Sequence, residues 1–390
     1  MRHESCVAVD LRVAAGAGIG PSSASRPIRA HAVTAGALRR RARRMALSIA
    51  FAAGLAAASP AWAQEGWHLR DPWPTSAEVA DIGGVDVTFP SSNPFVPADA
   101  GRAEPATALG RLYLPRRNGA RTAPPRSVPA VVMLHGAGGV LPARELTYAR
   151  QLAAMGAAAV VLDVFAARRD RARGFTERLI EITETMALAD AYAALRHLPR
   201  RHPEIDPDRI VLVGFSYGAM AAMYGVWTTV AERLAPGGER FAGHVAFYGP
   251  CLARFEEART TGAPVLMLYG TGDELIDPDR CAEFAGDLRR GGSATTVIAY
   301  PGALHQWDGG TPPRAIGRLL GACRLSVGAD GRVRDLRTGL PMTGPFLRRL
   351  ILAACVEDRP YMMGADEAVR ARSNRDLGRF LDMIFRAGKG

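Results

Sequence analysis

At 390 residues, with 48% hydrophobic and 22% charged residues, the chain has a globular composition, long enough for one α/β domain with additions or for two domains. Its formal charge of +11 would suit a nucleic-acid or membrane partner, but residues 1–63 hold nine arginines against Glu4 and Asp10 and carry +7 of it. The remaining +4 is unremarkable, and no nucleic-acid role is assigned.

Residues 1 to about 32 show no coherent pattern and read as untranslated sequence or a disordered extension. Gly16-Ala17-Gly18-Ile19-Gly20 is no dinucleotide loop, because no strand leads into it. A start near Val33 would leave a signal peptide of ordinary length. Arg39 to Arg44 forms a positive stretch, Met45 to Ala58 an apolar one, and Ala61-Trp62-Ala63 fits a signal-peptidase site, with Gln64 as the mature N-terminus. The apolar stretch is too short and alanine-rich for a stable membrane span, although a retained anchor is the alternative. No cysteine follows the site to take a lipid. Arg43-Arg44 makes a poor twin-arginine signal.

Export puts Cys251, Cys281, Cys323 and Cys355 in an oxidising compartment. Of three possible pairings, 251–281 and 323–355 are expected: the first two follow successive strands, and the last two bracket one C-terminal segment. Free buried thiols are the alternative. No cysteine or histidine cluster has metal-ligand spacing.

Gln64 to Ser76 is an irregular lead-in. Val85–Phe89 and Leu109–Leu114 alternate as strands do, separated by a loop from Pro90 to Ala106, and Asn118 to Pro129 is a second polar connection. Ala130–Leu134 is then a continuous apolar run, as a strand covered on both faces requires. Arg144–Met155 follows as a helix, Ala157–Leu162 as a strand, and Thr176–Leu198 as one long helix with an apolar stripe. Further strands are expected at Arg209–Val213, Phe241–Tyr248, Pro264–Tyr269 and Thr295–Tyr300, with helices at Ala219–Leu234 and Asp279–Arg289. Beyond His305, Arg314–Ala322 looks helical, Leu325–Met342 like a hairpin or insertion, Leu347–Ala354 helical, and Asn374–Phe385 a closing amphipathic helix. This alternation predicts an α/β fold, a doubly wound, mostly parallel sheet flanked by helices. The expected division is an N-terminal extension and signal over 1–63, a catalytic domain over 64–322, and a C-terminal extension over 323–390 packed on the same domain.

In such sheets ligands bind beyond the carboxyl ends of the strands, and the candidate chemistry lies there. Gly214-Phe215-Ser216-Tyr217-Gly218 joins an apolar strand to a helix, the context of a nucleophile elbow. The alternative is an ordinary strand–helix turn with a capping serine. Serine needs a base, and the base an orienting acid. Asp273, just past the Pro264–Tyr269 strand, is the candidate acid. Asp277 is its rival, but Asp277-Pro278 suits a helix start better. His305 alone among the eight histidines follows the acid, on a loop after a strand, and is the candidate base. His135-Gly136-Ala137-Gly138-Gly139 supplies backbone N–H groups: Ala137 or Gly136 would pair with Tyr217 as an oxyanion hole, with His135 structural.

These pieces, in this order, resemble the dienelactone hydrolase family of the α/β-hydrolase superfamily, over roughly Ala108 to His305. The matching segments are His135–Val140, Leu162-Asp163-Val164-Phe165, Gly214–Ala219, Gly270-Thr271-Gly272-Asp273 and Tyr300–His305. The resemblance implies an α/β-hydrolase fold and cleavage of small esters or lactones without metal or cofactor. Founding members use a cysteine nucleophile controlled by a glutamate; here Ser216 stands at the elbow, and glycine or alanine in the corresponding loop. The family's substrate-carboxylate arginine would correspond to Arg168 or Arg169, with Arg168 preferred. The expectation is therefore an exported serine hydrolase acting on a small-molecule ester or lactone. A peptidase of the same fold and a non-catalytic binding protein are the alternatives, and the oligomeric state is open.

Overall fold

The computed structural model describes residues 66–115 and 124–387. The extension, the Gly16–Gly20 stretch, the signal segment, Gln64 and residues 118–123 of the second polar connection lie outside them.

The chain runs β1 (Val85–Ser92), β2 (Pro105–Tyr113), β3 (Val128–Leu134), α1 (Thr147–Ala154), β4 (Ala158–Leu162), α2 (Phe175–Glu181), α3 (Glu184–Arg201) and β5 (Ile205–Phe215). Next come α4 (Tyr217–Tyr224), α5 (Thr228–Leu234), β6 (Gly243–Phe247), β7 (Ala253–Phe255), β8 (Val265–Gly270), α6 (Pro278–Arg290) and β9 (Thr295–Tyr300). It closes with β10 (Arg314–Ile316), β11 (Leu325–Val327), β12 (Val333–Asp335), α7 (Pro345–Cys355), β13 (Tyr361–Met363) and α8 (Glu367–Ala387). Eight strands form one sheet in the order β1-β2-β4-β3-β5-β6-β8-β9. β2 is antiparallel to β1 and β4; β4, β3, β5, β6, β8 and β9 are mutually parallel neighbours.

Every residue of β3, β4 and β6 is buried, which explains their unbroken apolar sequence. Successive side chains point to opposite faces. Val132 and Leu134 join the layer of α3, α4 and α6, whereas Val131 and Met133 join that of α1 and α8. Leu377, Leu381 and Phe385 of α8 are buried in this second layer, and full burial of such a side chain contributes about 1.5–3 kcal/mol.

The expected helix over Thr176–Leu198 is two helices. Thr183 takes an extended conformation and caps α3 by accepting from the Met186 N–H, so the chain turns between α2 and α3. Ala219–Leu234 is likewise divided, at the turn before Trp227, whose ring stacks on Phe255 at 4.8 Å. Arg314–Ala322 is not a helix: β10 pairs antiparallel with β13. The β11–β12 hairpin matches expectation, and β11 adds in parallel to β7. Cys251 pairs with Cys281 and Cys323 with Cys355. Among the described residues no helix is long and apolar enough to cross a membrane.

His244 on β6 is buried, its Nδ1 2.9 Å from the Ala222 carbonyl oxygen. Burial drops its pKa from 6.5 to about 4. The folded state therefore holds this histidine neutral where the unfolded chain would protonate it. This contribution to stability is fully present above pH 6.5 and is lost as pH falls toward 4, at about 1.4 kcal/mol per pH unit. Urea titrations between pH 4.5 and 7.5 should show that decline, and His244→Asn should flatten it. An equally steep decline in the variant would exclude His244 as the cause.

Candidate active site

The loops after β3, β5, β8 and β9 meet at the carboxyl edge of the sheet. Ser216 follows β5 at φ 51° and ψ −107°, a strained conformation for a non-glycine residue. Its neighbours make that turn possible. A Cβ on Gly214 would lie 2.0 Å from the Gly218 carbonyl oxygen, and one on Gly218 would lie 2.4 Å from that of Leu134. The Ser216 N–H donates to Phe247 O at 2.9 Å, and Gly218 N–H to His135 O at 3.1 Å, which fixes the elbow to its flanking strands. Tyr217 is the first residue of α4, so its N–H has no acceptor within the helix.

His305 Nε2 lies 2.9 Å from Ser216 Oγ, and His305 Nδ1 lies 2.7 Å from Asp273 Oδ2. Asp273 Oδ1 accepts from the Leu275 N–H at 3.0 Å, which orients the carboxylate. Asp273 and His305 are each 3% exposed, a burial that strengthens their polar contacts. The three residues singled out from the sequence thus form one continuous hydrogen-bonded chain. Asp277 caps α6 by accepting from the Arg280 N–H at 3.3 Å.

Gly136 O accepts from Gly139 N–H at 3.0 Å, closing a turn that carries Ala137. The position of a Gly136 Cβ is 3.4 Å from Ser216 Cβ, so this turn lies beside the elbow. His135 is buried inside it. Its Nε2 accepts from Val164 N–H, leaving Nδ1–H to donate to Gly136 O. Burial lowers its pKa, which suits the expected structural role.

Arg168 is not where the resemblance implied. It is buried and makes a two-pronged ion pair with Asp190, at 2.6 and 2.9 Å. Its other N–H groups go to Asn93 and to the carbonyl oxygens of Val164, Ser92 and Met186. No donor remains for a ligand, and the residue joins the loop after β4 to α3. The neighbouring Arg169 is exposed and, with Gly139, Val140, Phe165, Arg173 and Arg178, lines an open cleft of about 480 Å³ bordering the 136–140 turn.

A second buried polar group underlies the site. Arg144, itself beside the Gly136 turn, pairs with Glu145, and Glu145 Oε2 accepts from Leu141 N–H at 2.8 Å. Arg144 Nη1 approaches Tyr248 Oη at 3.4 Å, and the Tyr248 hydroxyl donates to Asp308 at 2.6 Å. Burial raises the Asp308 pKa. Sequence offered no signal for this group, since Arg144-Glu145 reads only as the start of a helix. Among the described residues no cluster of three or more His, Cys, Asp and Glu is placed to hold a metal.

The sequence profile described as the dienelactone hydrolase family matches residues 118–312. No curated protein matches the chain. Among solved structures, a dienelactone hydrolase-like promiscuous phosphotriesterase from metagenomic libraries is 20% identical. The match covers 58% of this chain and 84% of that one, at a TM-score of 0.40. Esterase 2 of Thermogutta terrifontis is 18% identical over 51% of this chain and 80% of its own, at a TM-score of 0.40.

Proposed function

We infer the activity from one premise: this chain belongs to the dienelactone hydrolase family and has the α/β-hydrolase fold. It is a hydrolase of carboxylic esters, and we propose that it works through a serine triad and an acyl-enzyme on an ester, lactone or related acyl bond. The observation that carries the proposal is the hydrogen-bonded chain from Ser216 through His305 to Asp273.

Ser216 Oγ attacks the carbonyl carbon while His305 Nε2 takes its proton. Asp273 keeps the imidazole proton on Nδ1 and stabilises the imidazolium. The Tyr217 N–H, with that of Ala137 or Gly136, receives the negative charge on the carbonyl oxygen. His305 then returns the proton to the leaving oxygen. Water, deprotonated by the same histidine, releases the acid and restores Ser216. The hydrolase domain spans 64–322, with 323–390 packed against it. The signal over Arg39–Ala63 and the two disulfides support an exported protein, cleaved after Ala63.

A fluorophosphonate probe should label one serine per chain, and p-nitrophenyl acetate should be turned over while peptide amides are not. Product recovered from the periplasm or medium should begin at Gln64. Faster turnover of amides than esters would favour a peptidase. Neither labelling nor turnover would leave a binding protein on a hydrolase scaffold.

A further inference from the structure

The family match ends at residue 312, yet the chain returns to the active site after it. Segment 357–366 lies along the loop that carries His305. Gly364 N–H donates to the His305 carbonyl at 3.0 Å, Asp366 N–H to Trp307 O at 2.8 Å, and Ala365 N–H to Thr311 O at 2.7 Å. Upstream, Glu357 and Leu319 exchange both backbone hydrogen bonds, and Arg359 forms an ion pair with Glu274, next to Asp273. The segment therefore touches the loops of both the acid and the base.

Both its ends are held. Cys355, two residues before Glu357, is tied to Cys323, and α8 begins at Glu367 and buries its apolar face under the sheet. Between those anchors Tyr361 sets its ring edge-on to the His305 imidazole, at 5.7 Å between centroids and 88° between planes. Tyr248 makes a similar contact at 4.9 Å. The Tyr361 ring also rests at Gly317, where a Cβ would lie 3.0 Å from its Cε1. Burial and the nearby Asp273 carboxylate push the Tyr361 hydroxyl up to about 12, so the ring stays neutral beside the pair.

We propose that residues 357–366 are a strap holding the base of the triad, with Tyr361 as a positioning residue that confines the His305 imidazole to the orientation facing Ser216. The inference rests on the serine-hydrolase reading above. Asp273 fixes one nitrogen of the ring but leaves it free to pivot about that hydrogen bond. A second packed edge removes that freedom, and displacement of about 1 Å at a reacting group can cost 100-fold in rate.

The test uses the full chain as wild type, Tyr361→Phe and Tyr361→Ala. The readouts are kcat and KM on p-nitrophenyl acetate, the fluorophosphonate labelling rate, and the thermal midpoint. The Phe variant should match wild type within about twofold, because the ring edge is kept. The Ala variant should lose about 10- to 100-fold in kcat and in labelling rate, with KM little changed. If Tyr361→Ala fails to fold, Tyr361→Leu carries the same comparison. Wild-type labelling in the ring-deleted variant would overturn the proposal, as would a Phe variant as slow as Ala. An unlabelled wild type would instead reject the serine-hydrolase reading itself.

Discussion

Ser216→Ala is expected to lower kcat on p-nitrophenyl acetate by about a million-fold, to the residual rate left by binding and the oxyanion site. Its Oγ is the atom 2.9 Å from His305 Nε2, and the tight turn of Gly214 and Gly218 holds it there. His305→Ala should cost about as much. The double variant should fall no further, because nucleophile and base act as one unit. Initial rates on the purified variants, with folding checked by circular dichroism and the thermal midpoint, decide the matter. A Ser216→Ala protein with wild-type turnover would move the nucleophile elsewhere.

Asp273→Asn should lower kcat by about ten thousand-fold while leaving the thermal midpoint near wild type. The reason lies in the Leu275 N–H, which donates to Asp273 Oδ1. An asparagine in that place must turn its oxygen toward Leu275, which directs its NH2 group at His305 Nδ1. The imidazole then carries its proton on Nε2, facing Ser216 Oγ, and cannot accept another. The geometry survives while the tautomer is wrong. Rates across the pH range on the purified variant test this, and a loss of less than about tenfold would remove Asp273 from the proposed mechanism.

The parts of the fold and site that the sequence displayed were those governed by local rules. Two-sided burial writes itself as Ala130–Leu134 and Arg209–Val213, and the glycines at 214 and 218 are demanded by contacts of 2.0 and 2.4 Å. Ser216, Asp273 and His305 each follow a strand end, so sheet topology brings them together. The misreadings have distant causes. Arg168 and Arg169 are indistinguishable as neighbours in sequence, and only Asp190, 22 residues on, turns the first inward. β10 is strand because β13 pairs with it from more than 40 residues away. Thr176–Leu198 carries one apolar stripe, and its break depends on a single capping threonine. Tyr361 belongs to no motif, and its nearness to His305 arises only from the path of the tail.

The disulfide pattern bears on how the chain matures. Of the four cysteines after Gln64, the first is bonded to the second and the third to the fourth, at separations of 30 and 32 residues, so the two loops neither overlap nor nest. On the proposed export route, a chain threaded N-terminus first would expose Cys281 to Cys251 before Cys323 emerged, and Cys355 would then meet only Cys323 unpaired. On that route sequential oxidation alone would yield the native bonds, with no wrong pairing for a disulfide isomerase to correct.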